Sequence, residues 1–334
     1  MDIETNNLPV ETNGEIDKKS GKNTLLSLSI LASAVIIAGA WIYTAGLKYE
    51  AGDVSAQLLS ESGDSRGAIE ELVLPTDGIA LPVRWGDFGA KMVNAGVIDS
   101  EKFEALYSGR GADAEELNKL LYGEDNGNLK INSENSGLLL NLLWAFGLAN
   151  KNSILEEGPM TDPSYGGADR FASTGGWTLA KGSAMDHYSR YDFIKLTEDQ
   201  QKLVERVANG IYRPCCGNST YFPDCNHGMA MLGLLELMAA QGASEEEMYR
   251  VALQVNSYWF PDTYLAIATY LKSKGIGWNE ADPKELLGSN FSSASGFQRI
   301  LQEIETVAPS SGSGCGVDAG IQTKKPSGGG GCGV

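Results

Sequence analysis

Apolar residues recur at intervals of three and four through most of the chain from Leu81 to Val307, which is the spacing of one face of an α-helix. Alternating apolar and polar runs of six or more residues, typical of half-buried strands, are scarce. The spacing predicts helices over Gly86–Ala95, Ser100–Tyr107, Ala112–Leu121, Ser133–Asn150, Glu198–Asn209, Asn226–Gln241, Glu245–Ser257, Asp262–Ser273 and Phe297–Val307. The pattern therefore predicts a mainly α-helical domain.

Two departures from this pattern are informative. The segment Ser133–Asn150 is apolar on nearly every side, so we expect it to be the buried centre of the domain. The stretch Gly158–Ile194 shows no helical period and is rich in Gly, Ser, Asp and aromatic residues. It predicts one long irregular loop region, a feature that is often functional.

A different apolar segment, residues 23–47, contains no charged side chain. At about 1.5 Å per residue, a helix of this length crosses the ~30 Å hydrocarbon core of a bilayer. Lysines precede it at positions 18, 19 and 22, which predicts an N-terminus in the cytoplasm and the main domain outside a cell membrane. A cleaved signal peptide is the alternative, because residues 38–40 resemble a cleavage site.

Composition divides the chain into five parts. We expect a disordered cytoplasmic tail at 1–22, a single transmembrane anchor at 23–47, an acidic stalk at 48–80, a helical globular domain at 81–308 and a flexible Gly/Ser/Cys tail at 309–334. The expected partner of the anchor is the lipid bilayer, and the sequence indicates no particular protein partner.

Charge and motifs exclude several classes of function. The chain has 43 Asp+Glu against 26 Lys+Arg and a formal net charge of -17, which argues against a nucleic-acid partner. It contains 2 histidines, so an all-histidine metal site is excluded. No P-loop and no glycine-rich dinucleotide fingerprint is present, so nucleotide binding is not expected.

The densest chemistry lies between two predicted helices, where Cys215, Cys216, Cys225 and His227 occur close together. We expect Asp224 to be the N-cap of the second helix, which places Cys225 in its first turn. The partial positive charge of a helix N-terminus favours thiolate over thiol. A Cys3His set suits Zn, and soft thiolates also suit Cu(I). These four residues are the predicted metal ligands.

Two other interpretations of the cluster stay open. Its spacing matches no standard zinc pattern, and the side chains of adjacent cysteines usually diverge. A structural disulfide from Cys225 to Cys215 or Cys216 would give a disulfide-stabilised binding or scaffold module of the cell envelope. A thiol enzyme would use Cys225 as nucleophile with His227 or His187 as base.

Cys315 and Cys332 each lie between glycines in the C-terminal tail. Thiols on a flexible segment suit capture or transfer of a soft metal ion, or pairing with another chain, and a disulfide between the two is the alternative.

The sequence as a whole predicts a membrane-anchored extracytoplasmic protein that binds a soft or borderline metal ion. A hydrolase built from Ser173, Lys181 and His187 is disfavoured against a loop that packs Trp177 and Tyr188 on the core.

Overall fold

The computed structural model describes residues 66–109 and 113–307, which lie in one compact unit. The helices are α1 (66–73), α2 (Phe88–Ala95), α3 (Ser100–Ser108), α4 (Ala114–Tyr122), α5 (Ser136–Ala149), α6 (Ser153–Glu157), α7 (Ala172–Gly175), α8 (Glu198–Gly210), α9 (Asn226–Ala240), α10 (Glu245–Trp259), α11 (Pro261–Ser273), α12 (Pro283–Leu287), α13 (Ser289–Ser292) and α14 (Ala294–Val307). The strands are β1 (Ile79–Gly86) and β2 (Asn126–Ile131). The prediction of a mainly helical domain is confirmed, and the predicted helix bounds differ from these by only a few residues.

The antiparallel pair β1–β2 was missed by the sequence pattern. Leu81, Val83 and Trp85 face the core, so β1 does alternate, but the alternation is short and Pro82 occupies one of its outward positions. A register shift between Ala80 and Arg84 also interrupts the pairing. A strand interrupted in this way gives a weak period-two signal.

Residues 66–80, assigned to the acidic stalk by composition, pack on the domain. Val73 at the end of α1 is 3% exposed and belongs to the hydrophobic core. The hydroxyl of Tyr258 in α10 donates a hydrogen bond to the carbonyl of Pro75 over 2.8 Å. The folded unit therefore includes residues before Leu81.

The core is organised around α5 and α9, which touch backbone to backbone. A Cβ added at Gly147 would lie 2.2 Å from the carbonyl oxygen of Met229, and one added at Gly233 would lie 2.5 Å from that of Leu143. Only glycine allows this approach at both positions. Because α5 is buried on nearly all sides, as its apolar sequence predicts, it fixes the position of α9 and of the residues that precede α9.

The irregular region 158–194 consists of short 3₁₀ turns and the four-residue helix α7. Trp177 is buried, and its Nε1 donates to the carbonyl of Val97 over 2.9 Å. His187 is held by the carbonyl of Lys181 at 2.8 Å and the hydroxyl of Tyr191 at 2.9 Å. Since both ring nitrogens of His187 serve this packing, the region acts as a structural support and forms no serine–histidine pair.

Across residues 66–109 and 113–307, no helix has both the length and the apolar character needed to cross a bilayer. The predicted anchor at 23–47 and the predicted tail at 1–22 lie outside the described residues, as do the first part of the stalk, at 48–65, and the tail from 309 to 334. Cys315 and Cys332 belong to that last segment.

Candidate metal site

Cys215 and Cys216 lie at the tip of a narrow loop that follows α8. The two sides of the loop pair where the backbone N–H of Thr220 donates to the carbonyl of Ile211 over 2.8 Å. At the tip, the N–H of Cys216 donates to the carbonyl of Arg213 over 3.2 Å and closes a four-residue turn. Proline occupies the second position of that turn, where its fixed φ is favourable. The turn holds the two adjacent cysteines on one side of the loop.

Cys225 is itself the N-cap of α9, which corrects the expectation that Asp224 would be. Its backbone is extended, with φ -120 and ψ 165, and its Sγ accepts a hydrogen bond from the N–H of Gly228 at 3.4 Å. Asp224 instead accepts hydrogen bonds from the side chains of Arg213 at 2.7 Å and Asn218 at 2.8 Å. The cap therefore lies one residue later than expected, while the helix begins at Asn226 as its predicted range has it, with the Cys225 sulfur over its first turn.

The three sulfur atoms of Cys215, Cys216 and Cys225 lie within 4.8 Å of one another, close enough to hold a metal ion. The Cys215 and Cys225 sulfurs are 3.6 Å apart. With metal–sulfur bonds of about 2.3 Å, that separation corresponds to an S–metal–S angle of roughly 100°, near the tetrahedral value. The expected divergence of adjacent cysteines does not occur here, because the turn brings both sulfurs toward Cys225.

The cluster extends from the surface into the interior. Cys215 is exposed, Cys216 is half-buried and Cys225 is buried. All three are free thiols in the structure. The exposure of Cys215 belongs to the residue as a whole, since its sulfur is partly buried against Cys225. A bound ion would thus lie between the buried Cys225 and the surface turn that carries Cys215.

Arg213 places a buried positive charge beside the sulfurs, and sequence reasoning missed this residue. Its side chain is 0% exposed. Its Nη2 donates to the Sγ of Cys216 at 3.2 Å as well as to Asp224, and a Cβ added at Gly228 would lie 2.8 Å from its Cζ. Nε and Nη1 of Arg213 are buried without a hydrogen-bond partner among the residues that the structure describes. The sequence signal was a single arginine two residues before the first cysteine.

The three thiols of the cluster differ in how their surroundings shift their pKa values, and Cys225 is the one whose pKa is lowered. Hydrogen bonds from Cys215 and then Cys216 lower the pKa of Cys225 well below its usual value, and the charge of Arg213 adds to them against the effect of burial. The pKa of Cys215 is raised by its hydrogen bonds to Cys216 and Cys225 and by burial. For Cys216 the hydrogen bond with Cys215 lowers the pKa, but the one with Cys225 and burial outweigh it. Ionisation is therefore favoured at Cys225 over the two loop thiols.

His227 lies beside the cluster but outside the group of three mutually close sulfurs. Its ring packs on Phe260 with centroids 4.4 Å apart and on Trp259 at 5.9 Å. Nδ1 is buried without a partner within the described part of the chain. The ring is close enough to Cys225 to lower the pKa of that thiol further, after Cys215, Cys216 and Arg213. Its assignment as a fourth ligand stays a prediction.

No protein-family model matches the chain, and no curated protein or solved structure matches it either.

Proposed function

We propose that the protein binds one thiophilic metal ion through Cys215, Cys216 and Cys225. The observation that carries the proposal is the convergence of three free thiols within 4.8 Å around a point beside a buried arginine. The guanidinium pairs with Asp224, but its Nε and Nη1 have no partner among the described residues. It can therefore offset part of the negative charge that three thiolates place around an ion of low charge, which would otherwise be costly to bury.

The donor set suits Cu(I) or Zn(II). Soft thiolates select Cu(I), whereas structural zinc takes four ligands, usually cysteine and histidine in sets such as Cys3His. His227 supplies the fourth ligand for zinc in this proposal, since its Nδ1 is unpartnered among the described residues and the ring adjoins Cys225. The ion is carried for capture or transfer, since the cluster opens to solvent at Cys215.

An anaerobic titration tests the proposal. The full-length chain is purified in detergent, with Cys315→Ser and Cys332→Ser so that the three cluster residues are its only cysteines, and is titrated with Cu(I) and with Zn(II) against a coloured chelator. We expect one ion per chain. Cys225→Ser should abolish stoichiometric binding while keeping an oxygen at the N-cap, and His227→Ala should weaken zinc more than Cu(I). Reduced protein that holds neither ion would contradict the proposal.

A disulfide-stapled module is the second candidate, favoured by the 3.6 Å between the Cys215 and Cys225 sulfurs. A disulfide needs about 2.05 Å, which a side-chain rotation could reach from this separation. In that case the native chain would show two fewer reactive thiols without reductant than with it, and no metal.

A thiol enzyme is a third candidate. The lowered pKa of Cys225 favours it, but at 7% exposure Cys225 is poorly placed to meet a substrate.

We further propose that this site lies outside the cell membrane, anchored by the uncharged segment 23–47 with the N-terminus in the cytoplasm. The lysines on the N-terminal side of that segment support this orientation. Protease added to intact cells should remove the domain from a membrane-bound stub. Recovery of a soluble mature chain that begins near Trp41 would contradict it.

A further inference from the structure

We infer that Cys215 is the ligand through which the ion is exchanged with a thiol-bearing carrier, while Cys216 and Cys225 hold it. This inference rests on the proposed function and adds the chemical class of the partner: a molecule that presents the ion on its own cysteine-type sulfurs. It is carried by a difference among the three sulfurs in exposure and in what holds each of them.

Cys225 and Cys216 are anchored by groups outside the cluster. The Cys225 sulfur receives the N–H of Gly228 at the start of α9. The Cys216 sulfur receives the guanidinium of Arg213 at 3.2 Å, and its carbonyl receives the N–H of Ala294 at 3.0 Å. Both sulfurs are therefore fixed to the helical core, and moving either one breaks contacts beyond the cluster.

Cys215 differs in both respects. The residue is exposed, and the hydrogen bonds of its sulfur are with the other two cysteines. It sits at the third position of the turn that the N–H of Cys216 closes on the carbonyl of Arg213. A sulfur on such a turn can leave the ion, or approach an incoming one, without disturbing the core.

The exchange step balances without any redox change. A carrier brings Cu(I) bound by two of its own thiolates, and the Cys215 sulfur forms a bond to copper as one carrier sulfur leaves. The second carrier sulfur is displaced in the same way as Cys216 and Cys225 close on the ion. Two Cu–S bonds to the carrier break and three to the cluster form, so copper passes from two sulfur ligands to three, and each proton lost by a cluster thiol leaves on a displaced carrier sulfur. Copper stays Cu(I), and release is the reverse.

The test compares two variants that each lack one of the three cluster cysteines. The full-length chain carrying Cys315→Ser and Cys332→Ser is loaded with Cu(I) anaerobically, and transfer to excess glutathione is followed by stopped flow. Cys215→Ser and Cys216→Ser each keep the buried sulfur of Cys225 together with one loop sulfur, and we expect that pair, unlike the two loop sulfurs alone, to suffice for Cu(I). We expect Cys215→Ser to retain the ion and to release it to glutathione about tenfold more slowly than the parent chain, since related variants differ mostly in their dissociation rates. Cys216→Ser should not slow the exchange.

The outcomes separate the two proposals. Exchange from Cys215→Ser at the rate of the parent, equal slowing in both variants, or loss of the ion from Cys215→Ser alone would overturn the role given to Cys215 and leave the three-cysteine site standing. A parent chain that takes up no Cu(I) would overturn both.

Discussion

Arg213 Nη2 lies 2.7 Å from Asp224 Oδ1, and this ion pair joins the two halves of the cysteine cluster. The guanidinium is fully buried and the carboxylate is 20% exposed. Arg213 precedes Cys215 in the loop, whereas Asp224 precedes Cys225 at the start of α9. The pair therefore sets the distance between the loop cysteines and the helix cysteine before any ion is bound.

Replacing Arg213 by methionine should destabilise the chain by about 3–5 kcal/mol, because it leaves Asp224 without its buried partner. It should also weaken ion binding, since Cys216 loses its guanidinium contact. Urea unfolding and the chelator titration measure the two effects.

Arg206→Met is the matched control for that variant. Arg206 pairs with Glu245 at 2.8 Å, but its side chain is 56% exposed, so the loss should be about 0–1 kcal/mol with no change in ion binding. Equal losses for the two arginines would contradict the role assigned to the buried pair.

The contact between α5 and α9 predicts opposite effects for two glycines on α5. Gly147→Ala places a methyl group against the Met229 carbonyl and should cost about 1–3 kcal/mol, or more if α9 must move. Gly137→Ala meets no atom within 4 Å and should stabilise by about 0.5–1 kcal/mol, since alanine is the better helix residue. Thermal unfolding of both variants checks this, and a Gly147→Ala variant as stable as Gly137→Ala would contradict the helix contact.

Glu236 in α9 should make stability fall as pH rises. The side chain is fully buried, and burial raises its pKa well above the usual value even though Asn150 donates to it over 2.6 Å. The folded state thus holds a proton that the unfolded state releases above about pH 4.5, so stability is complete below that pH. Above it, this group alone should remove up to about 1.4 kcal/mol per pH unit until the folded pKa is reached.

Glu236→Gln removes that titration while keeping an oxygen that can accept from Asn150. We expect the variant to be more stable than the parent at pH 7 and equally stable near pH 4. Urea unfolding across this range measures the difference, and identical pH profiles for the two proteins would show that Glu236 is charged in the fold.

Cys225 has a structural as well as a chemical role, and two substitutions separate them. Serine keeps a good N-cap acceptor for Gly228, so Cys225→Ser should leave apo-protein stability nearly unchanged. Alanine cannot accept, so Cys225→Ala should cost roughly 1 kcal/mol. Both should lose the ion and the stabilisation that it brings. A fall in apo stability equal for serine and alanine would contradict the capping role.

The helices were predictable because their signals are local. The capping box at Thr197 and Gln200 forms as its sequence indicates, and the apolar run of α5 is buried. The convergence of Cys215 and Cys216 was not predictable, since it depends on one turn closed between Arg213 and Cys216. The N-cap was assigned to Asp224 because aspartate is the commoner cap, but here the ion pair with Arg213 takes that carboxylate.

The burial of Arg213 could not be predicted from the sequence. Nothing local distinguishes Arg213 from an exposed arginine; its burial follows from the packing of its guanidinium against Gly228 in the first turn of α9. Likewise, His227 stands two residues from Cys225 in sequence, but its ring is directed to Phe260 and Trp259.

X-ray absorption of the ion-loaded protein tests the three-cysteine site most directly. The full-length chain with Cys315→Ser and Cys332→Ser is loaded with whichever of Cu(I) or Zn(II) it retains after desalting. We expect a shell of three sulfurs at about 2.3 Å, joined for zinc by one nitrogen at about 2.0–2.1 Å. A shell made mainly of nitrogen and oxygen, or one with fewer than three sulfurs, would contradict binding by Cys215, Cys216 and Cys225 together.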